Sequence, residues 1–279
     1  MYVLHEVRER ALVTGGTGYL GSHLVRALLD KGHHVVSFAR GEHGHEKQRR
    51  ENPHPNLESF IGDVRDYDAV ARAVEGVKLV YHAAAQKCVP WAEKFPEECI
   101  KTNVQGSINV QKAAEEVGAR AVLISSDKAC KPVNTYGASK YLAERVWHGQ
   151  VVRLGNIWGS TGSVIYWLLK QRGTGSLQIT SMMMRRWHIR VDQAVQYILA
   201  AAHPLSIPTM RWYWLEDLAK AVDPDATITE TGIRPGEKLE EDLYESRTHY
   251  PDYLRLSIED LRTEIETLCG STATAATPK

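Results

Sequence analysis

Neither sign of charge is in excess in this 279-residue chain, which has 34 Lys plus Arg and 34 Asp plus Glu. Nothing in the overall charge calls for a nucleic acid or an anionic membrane as partner, so any anion site must be local. Cysteine is scarce. Cys88, Cys99, Cys130 and Cys269 stand without CxxC or metal-ligand spacing, which fits reduced thiols rather than a disulfide framework. No apolar run approaches the roughly 18 residues of a membrane span. Glu6, Arg8, Glu9 and Arg10 make the first ten residues too charged to read as a signal peptide. The expectation is a cytoplasmic protein with no membrane partner. His43 and His45 stand close together, but no further ligands lie nearby in a charged stretch that reads as a solvated loop, and no metal is expected.

What is present is an alternation of short apolar runs with helical patterns. Ala11–Val13, His34–Phe38, Leu57–Ile61, Leu79–His82, Ala121–Ser125 and Val151–Leu154 read as strands. Tyr19–Lys31, Tyr67–Val74, Glu97–Val117 and Tyr136–Trp147 read as helices, the first with Leu20, Leu24, Ala27 and Leu28 on one face and Gly32 as its stop. Such alternation implies βαβ units and a parallel sheet covered on both faces. The predicted fold class is α/β, a Rossmann-like doubly wound parallel sheet with a smaller C-terminal substrate-binding lobe. The sheet domain is predicted over residues 1–155, completed by about 188–205. The lobe takes 156–187 and 206–268, and 269–279 reads as a small, polar, disordered tail.

The first crossover carries Gly15-Gly16-Thr17-Gly18-Tyr19-Leu20-Gly21 between a strand and a helix. Gly15 permits a tight turn, Gly18 lets the backbone approach a pyrophosphate, and Gly21 lets the helix pack close, while helix N–H groups meet the negative charge. The second strand lacks the acidic residue that would bind the adenosine ribose of NAD. Phe38-Ala39-Arg40 stands there with no carboxylate before Glu42, and Arg40, with Lys47 placed to assist, suits the 2′-phosphate of NADP. Asp63 after the third strand is positioned to accept from the adenine amino group. Ala83, Ala84 and Ala85 after the fourth strand let a nicotinamide ribose lie against backbone.

Ser125-Ser126-Asp127-Lys128, then Tyr136 and Lys140, put proton-handling side chains at the end of one strand and the start of the next helix. Tyr136 and Lys140, four apart on a helix, share a face, where an ammonium lowers a phenol's pKa and holds a cofactor ribose. A sugar hydroxyl could then lose its proton to the phenolate as hydride leaves the same carbon. Asp127 and Lys128 add an acid and a base. Simple alcohol oxidation does not need that pair, and elimination of water does.

Longer segments carry a resemblance. Gly62-Asp63-Val64-Arg65-Asp66, His82–Pro90, Lys101–Val104, Ser126–Ala129, Pro132–Lys140, Gly155-Asn156, Gly162–Ile165 and Gly232–Leu239 are similar to the extended short-chain dehydrogenases/reductases of the polysaccharide-biosynthesis type. More narrowly, the chain resembles the inverting UDP-N-acetylglucosamine 4,6-dehydratases from about Arg10 to about Leu243. The resemblance implies Tyr136 and Lys140 for C4 oxidation, Lys128 as base at C5 and a protonated Asp127 as acid for the departing C6 hydroxyl, with tightly held NADP and C5 inversion. It extends the cofactor-binding set to Thr17, Tyr19, Leu20, Val64, Asn103 and Ser125. For a UDP-sugar it implies Lys87, Ser126, Asn156, Val164, Met184, Arg234 and Glu237, the last two clamping diphosphate and ribose. It also implies a homo-oligomer.

Several positions depart from the family pattern. Thr161 stands where Arg is usual, Tyr166 where Pro is usual and Leu154 where Tyr is usual, and the stretch between Lys140 and Val151 is short, so the Tyr136 helix is expected to end early. Two other readings share the motifs: an epimerase or reductase of the same superfamily, and a non-catalytic NADP-binding protein.

Overall fold

A computed structural model describes residues 8–246 and 250–273 of the chain. Two compact units are present, one formed by the chain up to Leu154 with Val191–Pro208, the other by Gly155–Arg190 and the chain from Thr209. The strands in chain order are β1 (Arg10–Thr14), β2 (His34–Ala39), β3 (Leu57–Ile61), β4 (Leu79–His82), β5 (Arg120–Ser126), β6 (Gln150–Leu154), β7 (Asn156–Ile157), β8 (Ser176–Ile179), β9 (Arg185–Ile189), β10 (Leu205–Ser206), β11 (Arg211–Trp214) and β12 (Thr227–Glu230). Helices α1 (Tyr19–Asp30), α2 (Glu42–Glu51), α3 (Tyr67–Ala73), α4 (Val89–Lys94), α5 (Pro96–Ile100), α6 (Gly106–Glu116), α7 (Thr135–Val146) and α9 (Val191–Leu199) belong to the first unit. The second holds α8 (Val164–Gln171), α10 (Leu215–Val222) and α11 (Ile258–Ala273).

The first unit is the predicted doubly wound sheet. Its seven strands run in the order β10-β6-β5-β4-β1-β2-β3, every pair parallel. Because helices cover both faces, the inner strands are near-continuous apolar runs: Leu12, Val36, Phe38, Val80 and Leu123 are buried with Val70, Ala73, Val110 and Ala113 from α3 and α6. Strand order reverses between β1 and β4, where Thr14 and His82 are register partners. In such sheets a ligand crevice opens at the strands' carboxyl ends beside that reversal.

Two local differences from the sequence reading have physical causes. The charged stretch after Arg40 is the helix α2, not a loop, because His45 and Gln48 share a buried face and bond the carbonyls of Ala39 and Gly16 at 3.2 and 2.8 Å. The single helix expected over Glu97–Val117 is interrupted by a π-helical turn at Lys101–Gln105, where Gly106 N–H reaches the Lys101 carbonyl. Helix α7 runs three turns to Val146 before Trp147 turns extended.

The second unit pairs β9 antiparallel with β11 and parallel with β7, and β8 parallel with β12. Ile165, Leu168, Leu177, Tyr213, Leu218 and Leu261 form its core. Helix α11 extends to Ala273, into the segment expected as a tail; residues 274–279 of that expectation lie outside the described residues. Among the described residues no helix is long and apolar enough to cross a membrane.

Candidate active site

The turn between β1 and α1 is shaped by backbone contact. Gly15 adopts φ +67° and donates to the Phe38 carbonyl at 2.8 Å, and a Cβ there would lie 2.8 Å from Ala84 N. A Cβ on Gly21 would lie 2.1 Å from the Gly15 carbonyl, so only glycine lets α1 start this close to the turn. Gly18 caps α1 with no side chain bonded to the helix's first N–H groups, and the first turn has no acidic residue. The N–H groups of that first turn and the helix dipole suit a diphosphate. Thr17, Tyr19 and Leu20 are half-buried around the same turn. At the next strand end Arg40 is exposed, 3.8 Å from Asp63. Asp63 takes the Arg65 N–H at 3.0 Å and its guanidinium at 2.7 Å. Burial works to raise its pKa, and Arg65 and Arg40 outweigh it, leaving the carboxyl below its usual range. Lys47 is exposed on α2 and pairs with Glu51 at 3.8 Å.

Ser126, Asp127 and Lys128 follow directly from β5. Asp127 is 1 % exposed. Its Oδ1 accepts from Ser126 Oγ at 2.9 Å and Lys128 Nζ at 3.1 Å, while Oδ2 is buried without a partner. Ser125 Oγ is likewise buried and unpartnered. Orphaned polar atoms of this kind, at a strand's carboxyl end, fit a polar ligand that completes them. Tyr136 enters on α7, whose start is capped by Asn134 accepting from Gly137 N at 2.7 Å. Burial raises the Tyr136 phenol; hydrogen bonding to Ser126 and the Lys128 charge pull it down, and Asp127 pushes it up. The cation acting on the phenol is therefore Lys128 rather than the expected Lys140. Lys140 is buried and donates to the Ile124 carbonyl at 2.7 Å, and desolvation lowers its ammonium to about 8.

Beneath this cluster lies a polar network that the sequence reading assigned no role. Thr14 Oγ1 and His82 Nδ1 are 2.6 Å apart, and His82 Nε2 is 3.1 Å from Ser107 Oγ. Asn103, expected to touch cofactor, is 1 % exposed. Its amide accepts from Gln86 N at 2.7 Å and donates to the Gln86 carbonyl at 2.9 Å and Ser139 Oγ at 2.8 Å, so its side chain holds the β4 loop instead. The Val64 side chain lies in the core and its carbonyl accepts from Asn109 at 2.9 Å. Ala83 and Ala84 are half-buried and Ala85 exposed along that loop. Lys87, exposed just beyond it, has an ammonium lowered by desolvation. The available signals were the His82-to-Ala85 segment and the i, i+3 spacing of His45 and Gln48.

The remaining predicted residues belong to the second unit. Asn156 and Val164 are half-buried, Val164 opening α8. Met184 is 3 % exposed in the core, so its side chain is no ligand group; Met183 beside it is 63 % exposed. Arg234 and Glu237 pair with each other. Burial works to raise Glu237, and the Arg234 guanidinium brings it below its usual range. The loop carrying them is tied down by Arg186, which donates to the Leu239 and Lys238 carbonyls at 3.1 Å each. Trp187 stacks on Tyr250 at 4.2 Å, so Trp158, Trp187 and Trp212 pack the unit, and Trp167 remains exposed. Tyr166, in the usual proline position, donates to the Gly159 carbonyl at 3.0 Å.

The sequence profile of the family described as "Polysaccharide biosynthesis protein" matches residues 11–257. The chain is 35 % identical over 271 residues to an inverting UDP-N-acetylglucosamine 4,6-dehydratase of Campylobacter jejuni, covering 88 % of this chain and 80 % of that one. It is 34 % identical to a UDP-glucose 4-epimerase of Rickettsia conorii, covering 86 % and 79 %. Among solved structures it resembles Pen from Bacillus thuringiensis at 29 % identity and TM-score 0.83, over 93 % of this chain and 98 % of that one.

Proposed function

Since the chain belongs to the polysaccharide biosynthesis protein family, we propose that it is a nucleotide-sugar 4,6-dehydratase that inverts C5 of UDP-N-acetylglucosamine or a related UDP-sugar. The observation that carries this reading is the Asp127–Lys128 pair, 3.1 Å apart at the end of β5 and both acting electrostatically on the Tyr136 phenol. An oxidation alone needs no such pair. The 35 % identical relative is named for the same reaction.

In this mechanism Tyr136 takes the proton of the sugar's C4 hydroxyl; burial holds its phenol above the ordinary value, and Ser126 and Lys128 offset part of that rise. Lys140 holds the cofactor ribose. NADP held at the glycine-rich turn would supply the hydride acceptor for C4 and the hydride donor for C6, so no net oxidant would be needed. The C4 ketone acidifies the C5 proton, which Lys128 removes as a neutral amine once its own ammonium proton has passed across 3.1 Å to Asp127. Asp127 gives a proton to the C6 hydroxyl as the C6–O bond breaks and water leaves. Proton return to C5 from the opposite face inverts that centre. Exposed Arg40 supports NADP over NAD, its guanidinium lying at the end of β2 where an acidic residue would select NAD. Arg234 and Glu237 are assigned to the diphosphate and ribose of the nucleotide. Exposed Ile108, Tyr141 and Leu142 on α6 and α7 support a homo-oligomer, and scarce cysteines without disulfide-framework spacing fit the cytoplasm.

The test is incubation with UDP-N-acetylglucosamine in deuterated water without added cofactor, followed by proton NMR and mass spectrometry. Loss of water with deuterium at C5 is expected, and the C5 coupling pattern reads inversion. Lys128→Ala and Tyr136→Phe should each lower turnover by roughly a hundredfold or more while NADP(H) binding persists. A C4 epimer formed without loss of water would replace this reading with the epimerase that the 34 % identical relative is named for.

A further inference from the structure

We propose that His82 is a positioning residue, held as the neutral Nε2–H tautomer, that locks the β4 loop and the Tyr136 helix to the glycine-rich turn. The tautomer follows from proton bookkeeping along the chain of contacts. Ser107 Oγ donates to the Asn103 carbonyl at 2.6 Å. Its one proton is thereby used, so toward His82 Nε2, 3.1 Å away, it only accepts, and Nε2 must carry the hydrogen. A neutral ring with Nε2–H leaves Nδ1 bare, so Thr14 Oγ1 donates to it across 2.6 Å. Thr14 Oγ1 is then free to accept the Ala84 N–H at 3.2 Å. Every proton in the chain points one way, from Ala84 through Thr14, His82 and Ser107 to Asn103.

Asn103 continues the tie. Its amide clamps Gln86 on both backbone atoms and donates to Ser139, whose hydroxyl donates to the Tyr136 carbonyl at 2.7 Å. The ring of His82 also stacks on Trp147, at the far end of α7, with centroids 5.6 Å apart. His82 thus joins the last residue of β1, the loop meant for the nicotinamide ribose, and the helix that carries the phenol. It touches none of the reacting atoms. Burial and the nearby Lys140 charge, which lower its pKa to about 3, keep the ring neutral across the working range. A protonated ring would force a second N–H toward Thr14 and turn its hydroxyl away.

Part of the test rests on the dehydratase reading and part does not. In nitrogen-15-labelled protein, two-bond proton–nitrogen correlation spectra report each imidazole's tautomer, and His82→Gln identifies the His82 signals. The Nε2–H pattern is expected, unchanged between about pH 8 and pH 5; an Nδ1–H pattern, or titration in that window, overturns the proposal. Thr14→Val and Ser107→Ala each leave one ring nitrogen without its partner. In both, amide exchange at Ala84 and Gln86 should accelerate while the strands β1 and β4 keep wild-type protection, and kcat should fall roughly tenfold with little change in KM. Acceleration shared by the whole strands, or none at Ala84 and Gln86, marks a structural role alone and overturns the proposal. If no nucleotide sugar is turned over by wild-type protein, the dehydratase reading fails, and the tautomer and exchange readouts still decide the role of His82.

Discussion

Lys140 shows how a single residue can carry opposite demands. Its ammonium is buried, with its pKa lowered to about 8, so the folded chain holds that proton less tightly than the unfolded chain does at its ordinary 10.5. The resulting destabilisation is fully present below pH 8 and is relieved as pH rises from 8 toward 10.5. Lys140→Met should therefore abolish turnover yet raise the cofactor-free protein's unfolding free energy at pH 7, by at most about 3 kcal/mol at 1.36 kcal/mol per pH unit. Urea unfolding at pH 7 and pH 10 checks this, and the gain should shrink at the higher pH. Tyr136, Lys140, Asp127 and Lys128 were legible in the sequence because their spacing fixes which side of a strand end or helix they share. Their pairing was not. The i, i+4 rule points Lys140 at Tyr136, but its chain turns to the Ile124 carbonyl, and Lys128 becomes the cation that acts on the phenol.

At the scale of elements, strands were easier to read than helix interiors. Both β3 and β4 end where the sequence pattern ends: β4 is an inner strand whose buried residues leave little choice, while β3 is the half-exposed edge strand and is bounded by the residues that follow it. Helix α2 was missed, since a run with Glu46, Lys47, Arg49 and Arg50 has no apolar stripe, and its inner face is made of the polar His45 and Gln48. The π-helical turn at Lys101–Gln105 was equally hidden: the pattern on either side is helical, and only the demands of Asn103 on Gln86 and Ser139 reveal the extra residue. Helix α7 depends on its cap, and Asn134→Ala should cost about 1 kcal/mol in denaturant unfolding. Asn134 fixes the start of the helix that presents Tyr136, so turnover in that variant should fall as well.

For the molecule as a whole, each unit encloses a histidine that burial keeps neutral, His82 at about 3 in the first and His188 at about 4 in the second. Both values lie below the unfolded 6.5, so the unfolded chain binds more protons in acid. The stability they contribute is complete above pH 6.5 and is lost as pH falls from there toward about 4 for His188 and about 3 for His82. Thermal melts should accordingly drop between pH 6.5 and 4.5, and His82→Gln or His188→Gln should each flatten that decline. The sequence by itself determined the βαβ alternation, the glycine-rich turn and the spacing of Asp127, Lys128 and Tyr136, because periodicity and short spacings act within one or two elements. Only the tertiary structure decided which of those groups touch. The polar chain from Thr14 through His82 and Ser107 to Asn103 joins residues up to 68 and 25 positions apart, and no local pattern reports which buried polar atoms must satisfy one another.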